Sequence, residues 1–213
     1  MKVAVVTPHH DSKRSMFLER LKFYMSRQTR QPDMWFIIDE PTTFKPDLTY
    51  RVRVGIERAI NAGADVILIM EDDDWYDTNY IMFMVDAWKR SGKPPIFGIG
   101  YTLYVHIFAG KYWFSPHKNR ASLMSTLVTP KAIESFTYPD DTHVWLDIDL
   151  WKIAGGKTVE PDKYYSVGIK HNIGLCGGVG HNKSFSKYVS DPNYNELRKH
   201  IKDDLIWYRN LKA

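Results

Sequence analysis

Buried strands and amphipathic helices alternate along the first half of the chain. The run VAVVT at residues 3–7 is apolar and β-branched, which is typical of a parallel strand covered on both faces. Phe17, Leu21 and Tyr24 then recur at the spacing of a helix, and MWFII at 34–38 forms a second apolar run. This order of strand, helix and strand predicts the opening of a parallel sheet with helices packed on it.

The same unit is repeated after the second strand. Ile56, Ala59 and Ile60 lie on one face of a predicted helix, and Gly63 stands where a glycine commonly ends a helix. The run DVILIM that follows is apolar almost throughout, which predicts a central strand. Two such units in succession predict an α/β fold with a mostly parallel central sheet flanked by helices.

The second half of the chain has a mixed pattern. A helix is expected at about 78–90, and the alternation around Ala109 and Gly110 predicts a β-hairpin. The run SLMSTLVT predicts a further strand, and HVWLDIDLWKIAG predicts a helix that ends at Gly155. The C-terminal tail has one apolar helical face, formed by Leu197, Ile201, Leu205 and Tyr208.

Length and composition are those of one globular domain. The chain has 213 residues, of which 44% are hydrophobic and 25% are charged. Because the start is too polar for a signal peptide and no apolar run approaches the roughly 20 residues that span a bilayer, we expect a cytoplasmic protein. The single cysteine, Cys176, excludes an internal disulfide and a thiolate zinc cage. The net charge of +4 suits an anionic ligand such as a nucleotide or a nucleic acid.

Four acids, Glu71, Asp72, Asp73 and Asp74, directly follow the predicted central strand. Ligands of parallel sheets bind beyond the carboxyl ends of the strands. In an extended segment Asp72 and Asp74 would point the same way, so both could bind one Mg²⁺ or Mn²⁺ that bridges the oxygens of a diphosphate. The alternative is that the acids only stabilise the N-terminus of the next helix.

Four segments occur in the order VAVVTPHHDS, SRQTRQPDMWFIIDE, MEDDDWYDTNYI and WLDIDLWKIAG. They resemble the first strand and nucleotide loop, the Gln-Thr pair before a strand ending in an acid, the metal-binding DxD segment and the catalytic-base segment of family 2 type glycosyltransferases with the GT-A fold. The resemblance covers residues 3–155. It implies one GT-A-like domain, with a nucleotide-sugar-binding half at about 1–95 and an acceptor-binding half at about 96–213.

The resemblance also implies an activity, namely transfer of a hexose or pentose from a nucleotide diphosphate sugar to an acceptor hydroxyl. A UDP-sugar is the donor expected first. The donor site would then include Pro8, His9, Asp39, Asp72 and Asp73. Asp39 would lie near the nucleoside, and Asp72 and Asp74 would hold the metal ion and the diphosphate. The acceptor would be a glycan, a small molecule or DNA.

A divalent metal ion, Mn²⁺ or Mg²⁺, is implied by the same resemblance. Asp72 and Asp74 would be its ligands. Related transferases often supply a late histidine as a further ligand, and here His181 is the first candidate and His171 the second. Both flank a glycine-rich segment that predicts a flexible loop over the donor.

Asp147 matches the catalytic base of the resembled family. A base must take the proton of the acceptor hydroxyl as that oxygen attacks the anomeric carbon, and a single displacement of this kind inverts the anomeric centre. Asp149 is the rival, because two residues so spaced on a helix point in different directions.

Departures from the family pattern leave the donor and acceptor open. His9, His10 and Asp11 stand where a small polar set around an asparagine is usual, and DEPTT follows the second strand. Basic residues near the C-terminus favour an alternative, the glycosylation of a hydroxymethylated pyrimidine in DNA in a phage-infected host. Two alternatives of other classes are a nucleotidyltransferase and a nucleic-acid-binding module whose acids merely cap a helix.

Overall fold

The computed structural model of the chain describes residues 1–10, 14–173 and 186–211. In these residues there are eleven strands: β1 (Val3–Pro8), β2 (Met34–Ile38), β3 (Val66–Ile69), β4 (Trp75–Tyr76), β5 (Ile96–Ile99), β6 (Tyr101–His106), β7 (Lys111–Pro116), β8 (Thr126–Val128), β9 (Lys157–Val159), β10 (Ser166–Lys170) and β11 (Val189–Ser190). The α-helices are α1 (Ser15–Ser26), α2 (Leu48–Asn61), α3 (Tyr80–Arg90), α4 (Pro130–Glu134), α5 (Leu146–Leu150), α6 (Asn195–Ile201) and α7 (Asp204–Arg209).

The first sheet has the strand order β2-β1-β3-β8-β5-β9. The two βα units predicted from the sequence supply β1, β2 and β3, which pair in parallel, and every residue of β1 and β3 is buried. β8 runs antiparallel to both of its neighbours, whereas β5 and β9 are parallel. This arrangement confirms the α/β fold class and brings the carboxyl ends of β1 and β3 side by side.

Helices cover both faces of this sheet. Phe17, Leu21 and Tyr24 of α1 are buried on one face, and Val52, Ile56 and Ala59 of α2 are buried on the other. α2 ends after Asn61, and Gly63 follows with a φ of +81°, a left-handed conformation that favours glycine. The helix boundary predicted at Gly63 is therefore confirmed.

A second sheet of the described residues has the order β11-β7-β6-β10-β4. The predicted hairpin is its centre, since β6 and β7 pair antiparallel around Gly110, whose φ is +55°. β10 lies parallel to β6, and a Cβ added at Gly168 of β10 would stand 2.5 Å from Cδ1 of Tyr104. Close approach of β10 to β6 therefore requires glycine at that position.

The two C-terminal helices pack on α1 beside β4. Their apolar face is buried as predicted, at Leu197, Ile201, Leu205 and Tyr208, although the tail forms two short helices and not one. Asp204 of α7 accepts hydrogen bonds from Trp75 Nε1 at 2.8 Å and from Arg20 Nη2 at 2.5 Å. The C-terminal tail thus fixes the position of β4, the strand that follows Glu71, Asp72, Asp73 and Asp74.

Two predicted elements are shorter than expected. The segment predicted as a helix ending at Gly155 forms an α-helix only from Leu146 to Leu150. Beyond it, single turns continue to Gly155, whose φ is +80°. The strand predicted at SLMSTLVT begins with a 3-10 turn and pairs only at Thr126–Val128. Among the described helices, none has the length and apolar character that crossing a membrane would require.

Candidate functional site

A cavity of about 310 Å³ lies at the carboxyl ends of β1 and β3. This is the edge of a parallel sheet where ligands bind, and the volume is at the lower end of the usual range for small-molecule sites. Its lining combines basic residues (His10, Arg14, Lys45, Arg51 and Lys170), acidic residues (Asp47, Glu71, Asp72 and Asp73) and apolar residues (Pro8, Phe44, Pro46, Leu48 and Val144).

The acidic run at this edge is a turn between β3 and β4. The prediction of an extended segment is therefore wrong. In the turn Asp72 and Asp73 both face Arg14, whereas Asp74 Oδ1 accepts a hydrogen bond from the backbone N–H of Ile169 at 2.8 Å. The pairing of Asp72 with Asp74 that the i, i+2 rule suggested is therefore not the arrangement that the structure shows.

Asp72 is buried and fully engaged by two side chains. Its Oδ2 accepts from Nδ1 of His9 at 2.6 Å, and its Oδ1 pairs with the guanidinium of Arg14. Asp72 and His9 are each 2% exposed. The first loop and the acidic run, two separate parts of the predicted donor site, are thus joined by charge-assisted hydrogen bonds.

Asp73 has Arg14 on one side and His171 on the other. Its Oδ2 lies 2.9 Å from Nη2 of Arg14 and 2.9 Å from Nε2 of His171. Because Nδ1 of His171 accepts from the N–H of Ile173, Nε2 is the nitrogen that donates to Asp73. Burial alone would raise the pKa of Asp73, but Arg14 and His171 outweigh it and hold the pKa well below its usual range.

Lys170 at the end of β10 is a buried cation beside these acids. Its Nζ lies 5.2 Å from the ring centroid of Tyr104. Burial would lower the pKa of Lys170, but the charges of Asp74 and Asp73 raise it above its usual value. This raised pKa keeps Lys170 charged at neutral pH. Burial, and next the charge of Asp73, raise the pKa of Asp74 well above its usual range.

Glu71 is the acid whose protonation changes near neutrality. Burial is the main cause that raises its pKa to about 7, and Asp73 adds to it, while Lys170 and Arg14 oppose the rise. The charge of Asp147 also raises the pKa of Glu71, which places α5 within electrostatic reach of the cavity.

Asp147 has a single charged partner among the residues that the structure describes. Its Oδ2 accepts from Nη1 of Arg120 at 2.6 Å. Burial raises the pKa of Asp147 above its usual value, and Arg120 opposes that rise. Asp149 instead accepts a hydrogen bond from Nζ of Lys152 at 2.5 Å and has Nε2 of His143 at 2.9 Å, and it lines a separate groove with Phe136 and Tyr138. The two rivals for the base thus face different surfaces.

A divalent cation is a poor match for the described carboxylates as they are arranged. Mg²⁺ and Mn²⁺ need several free oxygen ligands, yet both oxygens of Asp72 accept from His9 and Arg14, and Asp73 Oδ2 accepts from His171 and forms an ion pair with Arg14. Within residues 1–10, 14–173 and 186–211, no three histidine, cysteine or acidic side chains gather as a metal site would require. His181, predicted as a ligand, lies outside the described residues, as do Cys176 and most of the glycine-rich segment.

Of the residues predicted to bind the donor, Pro8, Asp72 and Asp73 line the cavity. His9 is not part of the wall, because it is buried behind Asp72 and contacts that carboxylate. Asp39 is exposed just past β2 and is not part of the wall. Arg14 and Lys170 were missed. Lys170 did carry a signal, because it is the one charge in the strand SVGIK, immediately before His171. No sequence pattern singles out Arg14, whose place in the site is visible only in the three-dimensional structure.

Comparison with solved structures found similar folds. The structure of S. aureus TarS 1-349 in complex with UDP-GlcNAc matches over 80% of this chain and 59% of that one, with 12% identity and a TM-score of 0.53. A longer S. aureus TarS structure matches over 79% of this chain and 36% of that one, with 11% identity and a TM-score of 0.51. A glycosyltransferase involved in glycosylation of the major capsid of PBCV-1 matches with 15% identity, over 76% of this chain and 84% of that one, at a TM-score of 0.44.

The chain therefore spans only part of the TarS proteins that it matches. No family model and no curated protein sequence matches it. Identities this low establish the fold and nothing finer. The chain has a GT-A-like α/β fold, as the resemblance predicted, and the narrower assignment to family 2 stays a prediction.

Proposed function

We propose that this protein transfers a sugar from a nucleotide diphosphate donor to the hydroxyl group of an acceptor. The observation that carries the proposal is the placement of Asp147. The donor cavity lies at the carboxyl edge of β1 and β3, its wall includes Val144, and Asp147 follows three residues later with its charge acting on Glu71 in that wall. We propose that Asp147, on the helix α5 that begins two residues after Val144, is the base that a single displacement requires.

The donor end of the cavity suits a nucleotide. Phe44, Pro46 and Leu48 supply an apolar surface for a base or ribose, while His10 and Arg51 supply polar groups around it. Arg51 is itself fixed by Asp47 at 2.8 Å and by the carbonyl of Ile38 at 2.8 Å, so this wall is rigid. TarS 1-349 has the same fold and binds UDP-GlcNAc, and for that reason we propose a UDP-sugar as the donor.

In the proposed reaction the acceptor oxygen attacks the anomeric carbon and passes its proton to a carboxylate oxygen of Asp147. The bond from the anomeric carbon to the diphosphate breaks, and its electron pair leaves with the diphosphate. A raised pKa makes Asp147 a stronger base than an ordinary aspartate, and Arg120 keeps it ionised. The configuration of the anomeric centre is inverted.

Dependence on Mn²⁺ or Mg²⁺ enters the proposal only through the sequence resemblance. If such an ion binds, Asp72 would be its first ligand, with Asp74 and His181 as the further candidates, and it would supply positive charge to the departing diphosphate. The steps above depend on residues of the chain alone.

A panel of UDP-, GDP- and CMP-sugars tests the donor. Binding to the native state raises the melting temperature by linkage, so we expect a UDP-sugar to raise it, and a nucleotide-sugar hydrolysis assay should release UDP slowly. A failure of every nucleotide sugar to shift the melting temperature, with and without Mn²⁺, would contradict the proposal.

DNA is a second candidate acceptor, favoured by one further observation. A groove of about 710 Å³ across α6 and α7 is lined by Arg198, Lys202 and Arg209, which could contact phosphates. Transfer of labelled sugar to DNA containing hydroxymethylated pyrimidine, but not to unmodified DNA, would support this acceptor. DNA binding that falls with salt, without transfer to any acceptor, would instead favour a nucleic-acid-binding module.

A further inference from the structure

We propose that Arg14 and Lys170 bind the diphosphate of the donor, so that two cations of the chain act where the resemblance places a divalent metal ion. This inference rests on the proposed function, because it concerns the same cavity and the same donor. It concerns positively charged side chains, whereas the sequence directed attention to the acids.

Arg14 is held at the cavity wall with part of its hydrogen-bonding capacity free. One amino group, Nη2, contacts both Asp72 and Asp73, which fixes the guanidinium in place. Nε of Arg14 is buried and has no hydrogen-bond partner among the described residues. A buried N–H without a partner is costly. Arg14 also lines the cavity, so an anionic oxygen that enters it meets a guanidinium whose N–H groups are not all engaged.

Lys170 approaches the same cavity from the second sheet. It is the last residue of β10, aligned with His106 of β6, and it is 8% exposed. Within the described residues its ammonium makes no ion pair of the kind that engages Arg14, although Lys170 lines the cavity together with Asp73. Burial beside acids keeps the ammonium charged, as its raised pKa indicates. A charged donor at the wall is thus available to a phosphate.

Asp72 and Asp73 already have partners within the chain. Arg14 pairs with Asp72 and Asp73, and His9 and His171 donate to the same two carboxylates. A divalent ion bound to Asp72 would have to displace Arg14 and would then lie beside two cations. A diphosphate, in contrast, meets a guanidinium and an ammonium that already face it.

Both cations suit the chemistry of the leaving group. A guanidinium offers several N–H donors to phosphate oxygens, and an ammonium acts as a compact positive charge. When the bond between the anomeric carbon and the diphosphate breaks, its electron pair stays on the diphosphate oxygen. Arg14 and Lys170 would neutralise that growing charge, while the acceptor proton moves to Asp147.

Calorimetric titration of UDP into the intact protein tests the inference, once in excess EDTA and once with Mn²⁺. We expect UDP to bind in EDTA, with a Kd within about threefold of that in Mn²⁺. Lys170→Met should raise the Kd in EDTA by about tenfold or more, which is about 1.4 kcal/mol. Lys89→Met, which removes an exposed lysine of α3, is the control with the same charge change and should leave the Kd unaltered.

The outcomes separate this inference from the proposed function. Binding of UDP only in the presence of Mn²⁺ would overturn the role of Arg14 and Lys170 and would leave the transferase proposal standing. Absence of binding of UDP and of every nucleotide sugar in both conditions would overturn both. The wild-type comparison needs no variant, so a folding defect of Lys170→Met would not obscure the result.

Discussion

The acids of the turn after β3 and the acid of α5 are surrounded very differently. Asp72 and Asp73 are buried; each accepts from a histidine, and each forms an ion pair with Arg14. Asp147 has one charged partner among the described residues, Arg120, and its pKa is raised by burial. Arg14 and His171 hold the pKa of Asp73 well below its usual range, whereas a carboxylate with few donors, such as Asp147, can accept a proton. We therefore assign positioning of the donor site to Asp72 and Asp73 and proton transfer to Asp147.

The largest expected difference between the two regions is in stability. Asp73→Asn removes the charge that faces Arg14 and His171, and loss of one partner of a buried ion pair costs about 3–5 kcal/mol of the free energy of unfolding. Asp147→Asn should cost less than about 1 kcal/mol, because its partner Arg120 has a side-chain exposure of 33%. Urea denaturation of the two variants measures both values, and equal losses would contradict the comparison.

The contact of His171 with Asp73 is expected to contribute a smaller amount. His171→Leu leaves a buried carboxylate oxygen with one donor fewer, which should lower the free energy of unfolding by about 1–3 kcal/mol. His171→Gln, which retains an N–H at a similar reach, is the matched control and should lose less. A leucine variant as stable as wild type would show that Asp73 does not depend on this donor.

Arg120 can be used to sharpen the assignment of the base. Because Arg120 lowers the pKa of Asp147 while burial raises it, Arg120→Gln should raise that pKa further. A base acts when ionised, so the acidic limb of the pH–rate profile should move to higher pH. Lys118→Gln, a nearby exposed lysine, is the control for charge. An acidic limb that stays in place would argue that another group limits the rate.

The smallest expected effect is the change in stability at acidic pH that comes from His117, whose pKa is affected by burial and by Arg120. Burial, and next the charge of Arg120, lower the pKa of His117 from 6.5 to about 4. Between those values the unfolded chain binds more protons than the native one, so stability is complete above pH 6.5 and falls as the pH approaches 4. His117→Gln should flatten this part of the stability curve, and thermal melts between these pH values measure it. A variant whose slope equals that of wild type would contradict the assigned shift.

The elements that the sequence predicts well are those with an uninterrupted pattern. The helix around Phe17, the strand before Glu71 and the hairpin at Gly110 were predicted from the spacing and hydrophobicity of their residues alone. The short helix α5 was overestimated, because an amphipathic pattern continues to Gly155 while the backbone forms only single turns after Leu150. The spacing of apolar residues does not show where the hydrogen bonds of an α-helix end and those of single turns begin.

The functional site was predicted only in part, because a sequence pattern does not show how residues far apart in the chain come together. The strand end at Asp72 indicated the ligand edge correctly, since the topology of parallel sheets determines it. The directions of Asp72 and Asp74 were not predictable, because they depend on a turn and on partners far away in the chain, such as Ile169. Arg14 and Lys170 were missed because their role comes from convergence of two sheets, which a linear pattern does not record.

In the proposed mechanism donor binding and proton transfer depend on different residues, because the donor cavity binds the nucleotide sugar and Asp147 accepts the proton. This separation is tested most directly by measuring, on one preparation of Asp147→Asn, the Kd of the UDP-sugar and the rate of transfer, with Asp149→Asn as the control. The account predicts an unchanged Kd and a transfer rate lower by about 10²–10⁴ for Asp147→Asn, as expected for loss of a general base, and near wild-type values for Asp149→Asn. Undiminished transfer by Asp147→Asn, or a loss of donor binding that parallels the loss of transfer, would contradict it.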